Sequence, residues 1–113
     1  MSEHMSHQAY VSSCRAKAAQ VAAAVLDGSI PILDGCHFLD ELAAGVDVPS
    51  DDHDFGIFSL IQSETDSLPI GRVRDHWAPD ALARIEPDIQ AAVVWANPIA
   101  LPALQSVVAR FGA

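Results

Sequence analysis

The chain has 113 residues, of which half are apolar, and 15 acidic against 6 basic side chains give it a formal net charge of −9. This length predicts a single domain with a modest core. The charge disfavours binding to nucleic acid or to an anionic membrane, because phosphate groups repel an acidic surface. It favours a basic protein as the partner, since opposite charges steer two proteins together.

Neither end of the sequence resembles a targeting signal, and no apolar run reaches the roughly 20 residues that span a bilayer. The sequence therefore predicts a cytoplasmic protein that does not enter a membrane. Residues 1–7 carry two scattered histidines, His4 and His7. We expect this segment to be frayed, without a metal-binding role.

The first predicted element is a helix from Ser6 to Leu26, in which apolar residues recur at steps of three and four. Asp27 and Gly28 end this helix, because glycine readily adopts the left-handed conformation that follows helices. Pro31 is expected in the first turn of a second helix, which should end at Gly45. The short connection between them predicts an αα-hairpin.

Both cysteines, Cys14 and Cys36, lie on the apolar stripes of these two helices. Counted along the helices from the turn, they sit at different heights, so a disulfide between them is not expected. Buried, reduced thiols fit a cytoplasmic protein.

The third element is the stretch from Phe55 to Gln62, whose apolar spacing fits either a helix or a buried strand. We favour a helix, because Asp51 or Asp52 can cap it and acidic residues fill its first turn.

A short helix from Pro79 to Ile85 and then a longer helix are expected to follow, with a break or kink at Asn97-Pro98. The predicted fold class is therefore all-α. We expect residues 1–113 to form one irregular bundle of four to five helices that begins with the αα-hairpin.

The stretch SETDSLPIGRVRDHW, residues 63–77, is the least ordinary part of the sequence. An extended chain around Val73 would place Arg72 and Arg74 on one side. One interpretation is a loop held in place by ion pairs, with carboxylates drawn from the set Glu64, Asp66, Asp75 and Asp80. The other is a recognition surface that displays Glu64, Asp66 and Trp77 to a partner.

Two clusters have residue types that bind metals, Asp51-Asp52-His53-Asp54 and Cys36-His37. Neither has the spacing of a metal site, since neighbouring side chains on a helix point in different directions. No nucleophile motif or glycine-rich phosphate loop is present in the sequence. We therefore predict no metal, no cofactor and no enzymatic activity, and a small hydrolase or metal enzyme ranks third among the functions considered.

A small, acidic, helical chain without these motifs resembles the immunity proteins with which bacteria neutralise toxins from their neighbours. The apolar pattern from Tyr10 to Phe111 also looks like that of a small bacterial family, which supports the fold and implies no mechanism. The resemblance to immunity proteins implies a protein-binding module that inhibits a toxin domain. The alternative is a homo-oligomeric structural or adaptor protein such as a homodimer, because a chain this short cannot bury all its apolar residues.

The predicted partner-facing surface, here called the acidic edge, lies at the start of the third helix and in the loop after its end. Its residues are Asp51, Asp52, Asp54, Glu64, Asp66 and Trp77. Reversal of Asp52 and Asp66 to lysine is expected to slow association with a basic partner and to leave the fold intact.

Overall fold

The structure is a computed structural model that describes residues 6–112, and these form five helices and no strand. The all-α bundle predicted from the sequence is confirmed. The helices are α1 (His7–Leu26), α2 (Ile32–Val46), α3 (His53–Glu64), a 3₁₀ helix η1 (Gly71–His76) and α4 (Pro79–Phe111). Residues 1–5 of the segment expected to fray lie outside the described residues. His7 already belongs to α1, so the predicted frayed segment was too long.

The capping residues explain where the first and third helices begin. The Ser6 hydroxyl accepts a hydrogen bond from the Ala9 amide at 3.0 Å, and the Asp52 carboxylate accepts one from the Phe55 amide at 3.2 Å. Each of these bonds satisfies a backbone donor that has no partner within the helix. The helix predicted for Phe55 to Gln62 is confirmed, with Asp52 as its cap.

Gly45 does not end α2, although the sequence predicted that it would. The helix continues to Val46 and ends where Asp47 adopts the left-handed conformation at φ 58°. Gly45 is buried where α2 meets α1, and a β-carbon there would lie 2.5 Å from Sγ of Cys14. Glycine at this position therefore permits the close approach of two helices.

The core is built from one face of each α-helix. Phe55 and Phe58 of α3 pack edge to face with ring centroids 5.4 Å apart. Cys14 and Cys36 are both free thiols and both buried in this core, as their different heights predicted. The largest fully buried apolar side chains are Phe58, Leu39, Ile61, Leu104, Val46 and Val107.

The last 33 residues of the bundle form a single helix, α4, which runs without interruption through Pro87, Pro98 and Pro102. The separate short helix predicted for Pro79–Ile85 is therefore wrong. Of the break or kink predicted at Asn97-Pro98, the break does not occur. Each proline lacks an N–H and leaves the carbonyl four residues earlier without its helical donor.

All three prolines are exposed, on the side of α4 that faces away from the core. The carbonyls that lose their donors can bond to water there. The opposite face buries small residues and Leu104 against the other helices, and this packing outweighs the local cost of proline. The buried residues of α4 are Ile89, Ala96, Ala100, Ala103, Leu104 and Val107.

By length and composition, α4 is the one described helix that could cross a membrane, with a mean hydropathy of 1.4 over 18 residues. Only 28% of that segment is buried within the structure. The same test is passed by core helices of soluble proteins, so this property on its own is weak evidence for a membrane location. It does show that much apolar surface on α4 is left uncovered.

The side chain of Arg15 in α1 contacts the ends of both α2 and α4. Arg15 Nε donates a hydrogen bond to the carbonyl of Val46 at 2.9 Å, at the end of α2. Its guanidinium lies 5.4 Å from the centre of the Phe111 ring, at the end of α4. A cation over an aromatic face is attractive. Arg15 therefore joins three helices.

Candidate binding groove

The outer face of α2 carries four side chains that recur at helical spacing, and they border a groove. His37, Phe38 and Glu41 lie three, four and seven residues after Asp34, which places the four on one side of the helix. Together with Ile70 and Gly71 they line a depression of about 160 Å³. A neighbouring depression of about 640 Å³ shares some of these residues; its lining comprises Pro31, Asp34, Phe38, Gly71, Arg72, Arg74 and Asp75. We call the two together the α2 groove.

The far wall of the groove is the segment that leads into η1. Gly71 begins η1 with a positive φ of 69°, a conformation that glycine adopts at no steric cost. A β-carbon at this position would lie 3.7 Å from Oδ2 of Asp34. Gly71 therefore brings this wall close to the carboxylate and leaves the groove open above it.

Three contacts fix this wall against the bundle. Pro69 is buried, and Leu68 and Ile70 pack against the core. Nη2 of Arg74 lies 3.4 Å from Oε2 of Glu86, which ties η1 to α4. Residues 71–80 are otherwise exposed.

The structure corrects two expectations for the 63–77 stretch. The chain around Val73 forms a 3₁₀ helix and is not extended, although Arg72 and Arg74 both border the same depression. Arg74 pairs with Glu86, which was not among the predicted partners. Val73 and Trp77 are 53% and 37% exposed, whereas Leu68 and Ile70 pack against the core.

His37 is held in one orientation by a buried hydroxyl. Nε2 of His37 lies 2.8 Å from Oγ1 of Thr65, and that hydroxyl donates its own proton to the carbonyl of Ile61 at 2.6 Å. Thr65 therefore accepts from His37, so the neutral imidazole carries its proton on Nε2 and keeps Nδ1 as an acceptor. The groove therefore contains a fixed imidazole whose Nδ1 can accept a hydrogen bond from a ligand.

The groove is acidic and has an aromatic side chain at its border. The carboxylates of Asp34, Glu41 and Asp75 outnumber Arg72, the one groove cation that is not paired with Glu86. Phe38 is 52% exposed although it lies among polar residues. Carboxylates and an accessible ring together suit a ligand with both positive charge and apolar surface.

Within residues 6–112, no group of three or more histidine, cysteine or acidic side chains is placed to hold a metal ion. Burial raises the pKa of the nearby Cys36 thiol to about 12, so this thiol stays protonated and unreactive at neutral pH.

The acidic edge is divided by the structure into two groups. Asp51, Asp52 and Asp54 lie at the start of α3, whereas Glu64 and Asp66 lie at its end, about 17 Å away along the helix. Asp66 accepts a hydrogen bond from the side chain of Gln62 at 3.1 Å, and Trp77 follows η1. The six residues therefore lie at both ends of α3 and at the end of η1.

Two of these carboxylates, Asp52 and Asp54, form ion pairs with Arg110. The guanidinium of Arg110 donates to both oxygens of Asp52, at 2.8 and 3.1 Å, and to Asp54 at 2.8 Å. Asp54 is buried and also accepts a hydrogen bond from the hydroxyl of Ser106 at 2.6 Å. The two residues fasten the start of α3 to the end of α4. Reversal of Asp52 to lysine would break this network, so the expectation that it leaves the fold intact is withdrawn.

Asp51, Glu64 and Asp66 are exposed and Trp77 is partly so, and their contact with a partner stays a prediction. The groove was not predicted from the sequence. The signal was present, because Phe38 is a large apolar residue on the polar side of an amphipathic helix.

No family model, no curated protein and no solved structure matches this chain. The interpretation of the groove therefore rests on its own residues and their geometry.

Proposed function

We propose that the chain is a non-catalytic protein-binding module that takes a basic segment of a partner protein into the α2 groove. The observation that carries this proposal is the position of Phe38, an exposed ring on the same helix face as Asp34 and Glu41. A lysine or arginine of the partner would meet the carboxylates, and an adjacent apolar side chain would cover the ring.

The two kinds of contact have different energetic roles. Exposed carboxylates mainly raise the association rate, and the net charge of −9 extends their attraction beyond the groove. An aromatic side chain that becomes buried on binding contributes more to the lifetime of the complex, and its truncation typically costs about 2 kcal/mol or more. We therefore expect Glu41 mainly to raise the association rate and Phe38 mainly to lower the dissociation rate.

An immunity-type inhibitor is the form of this function that the sequence favours. A toxin domain with a basic surface is then the partner, and the module neutralises it by occupying that surface in the cytoplasm. The acidity and the helical fold support this form of the proposal, and neither identifies a particular toxin.

The test compares two charge reversals that change the net charge equally. Glu41→Lys alters the groove, and Asp51→Lys alters an exposed acid of the acidic edge. Proteins retained by the immobilised wild-type chain from a lysate of its own cells are identified by mass spectrometry. The partner found is then purified, and its association and dissociation rates are measured by surface plasmon resonance against each variant.

We expect Glu41→Lys to slow association at least tenfold at low salt, Phe38→Ala to accelerate dissociation, and Asp51→Lys to have a minor effect. Higher salt should weaken binding of the wild-type chain. If Asp51→Lys slows association more than Glu41→Lys, the partner contacts the acidic edge instead. If neither reversal has an effect, the proposal of a basic partner is wrong.

A further inference from the structure

The outer side of α4 presents an apolar stripe that nothing in the described part of the chain covers. Val94, Trp95 and Leu101 are 73%, 40% and 47% exposed. With three further exposed residues at helical spacing they form what we call the α4 apolar face: Ala91, Val94, Trp95, Pro98, Leu101 and Pro102.

This face has no charge, in contrast to the chain as a whole. No ionisable residue occurs between Asp88 and Arg110, and Arg110 turns the other way to bind Asp52. Two copies of a chain with a net charge of −9 repel each other, so they associate best where no carboxylate meets another. The uncharged face is therefore the part of α4 on which like-charge repulsion is smallest.

The order of side chains along the face is nearly symmetric about Pro98. A two-fold axis through this residue, perpendicular to the helix, would set Trp95 of one copy against Leu101 of the other. It would set Val94 against Pro102 in the same way. Each of these apolar side chains then meets an apolar side chain of the other copy, at the usual helix separation of about 8–10 Å.

Polar groups on the face also complement one another under this symmetry. Pro98 and Pro102 leave the carbonyls of Val94 and Pro98 without helical donors on the exposed side. The indole of Trp95 and the amide of Gln105 are donors on the same side. In an antiparallel pair they approach the carbonyls of the other copy, so polar groups that lose water can regain partners.

From these observations we infer that the α4 apolar face binds a second copy of the chain, in an antiparallel helix pair centred on Pro98. The stripe from Ala91 to Gln105 is about 21 Å long. Two such stripes bury less than about 1,200 Å² in total, the size of weak and transient interfaces. The dimer should therefore dissociate in the micromolar range. This surface is separate from the α2 groove.

Sedimentation equilibrium over a hundredfold range of concentration tests the dimer. The decisive variant is Leu101→Glu, and the matched control is Leu60→Glu, because Leu60 is similarly exposed, at 43%, on α3. We expect Leu101→Glu to weaken the dimer at least tenfold and Leu60→Glu to leave it within threefold of the wild type. Circular dichroism checks that both variants keep their helices.

The salt dependence of association distinguishes the dimer from binding of a basic partner in the α2 groove. Added salt should strengthen the dimer, because it screens repulsion between two acidic chains, whereas it should weaken binding of a basic partner in the groove. A chain that stays monomeric at every concentration and salt, or a dimer weakened equally by Leu60→Glu, would overturn the inference.

Cysteine cross-linking tests the antiparallel arrangement. Two Pro98→Cys chains meet at the axis and should form a disulfide on mild oxidation, whereas two Gln105→Cys residues lie about 21 Å apart and should not. The wild-type chain is the blank, since Cys14 and Cys36 are buried. Equal cross-linking at position 105 would contradict the antiparallel pair. Flotation with neutral phosphatidylcholine vesicles tests a lipid surface as the occupant. If the wild-type chain is monomeric and floats with the vesicles, and Leu101→Glu abolishes this, the α4 apolar face binds lipid and the dimer is overturned.

Discussion

Asp52 illustrates how one side chain can serve a helix and the tertiary structure at once. Its carboxylate caps α3 through the Phe55 amide and also accepts two hydrogen bonds from Arg110. Hydrogen bonds from Arg110 hold the pKa of Asp52 below its ordinary value, against the opposing effect of partial burial. The ionised form is therefore the form that stabilises the fold.

This shift predicts how Asp52→Asn depends on pH. Asparagine is also a good cap, so the variant removes the charge and keeps the capping bond. Because the folded-state pKa is lowered, the stabilisation is complete above the unfolded pKa of about 4 and is lost as the pH falls through the folded-state value. At pH 7 we expect the free energy of unfolding to drop by about 1 kcal/mol.

Urea unfolding of both chains at a series of pH values checks this. The difference between them should be constant from neutral pH to about pH 5 and should shrink below about pH 4. Asp51→Asn is the control, since no ion pair involving Asp51 occurs among the described residues. A difference that persists unchanged in strong acid would mean that the Arg110 contact does not depend on the charge of Asp52.

At the scale of the helices, the contact of α1 with α2 depends on the small size of Gly45. Alanine ordinarily stabilises the interior of a helix by about 1 kcal/mol relative to glycine. At Gly45 its β-carbon would come within 2.5 Å of Cys14 Sγ, so the two helices would have to separate. Gly56 of α3 offers the opposite case, because nothing lies within 4 Å of a β-carbon placed there.

We therefore expect Gly45→Ala to lower the free energy of unfolding by about 1–3 kcal/mol. The same change at Gly56 should raise it by up to about 1 kcal/mol. Adding Cys14→Ala to Gly45→Ala should recover part of the loss, since it removes the sulfur that the new methyl group meets. Denaturant unfolding of the four chains measures these differences. Gains of equal size at Gly45 and Gly56 would show that the helix contact is not tight.

Helix boundaries were readable from the sequence where a local signal sets them. Ser6 and Asp52 begin helices through bonds that span three residues, and Gly28 follows α1 with a positive φ of 87°. The continuity of α4 was not readable, because Pro98 is a local breaker and the packing that overrides it comes from distant residues. The same reasoning explains why the bond between Asp54 and Arg110, 56 residues apart, was missed.

The α2 groove was harder to predict from the sequence than the fold, because it is formed by tertiary contacts. The spacing of Asp34, His37 and Glu41 was visible in the sequence as one helix face. The position of Gly71 against Asp34 was not visible, because no local signal brings a segment 37 residues later in the chain beside α2.

The molecule as a whole is elongated along α4. Its extents are 53 × 32 × 26 Å and its radius of gyration is 15.4 Å, against roughly 13 Å for a compact chain of this length. A helix of 33 residues is about 50 Å long, so α4 spans the molecule from end to end. Three shorter α-helices cover only one side of it, which leaves the α4 apolar face open.

The two buried thiols can be used to measure global unfolding of the bundle. Cys14 and Cys36 are both buried, and burial raises the pKa of Cys36 to about 12. We expect neither thiol to react with a thiol reagent at pH 8 in the native state, and both to react at once in urea. The rate of labelling in intermediate urea should follow the rate of unfolding measured by circular dichroism. Fast labelling of native protein would show that α1 or α2 opens locally.

The contact between Gly45 and Cys14 also restricts the order in which these two positions can change in the course of evolution. A larger residue at position 45 is harmful while the sulfur of Cys14 is present, whereas a smaller residue at position 14 leaves only a small void. A substitution by a smaller residue at position 14 should therefore precede any substitution by a larger residue at position 45. In related chains, bulky residues at both positions should not occur together unless α1 and α2 lie further apart.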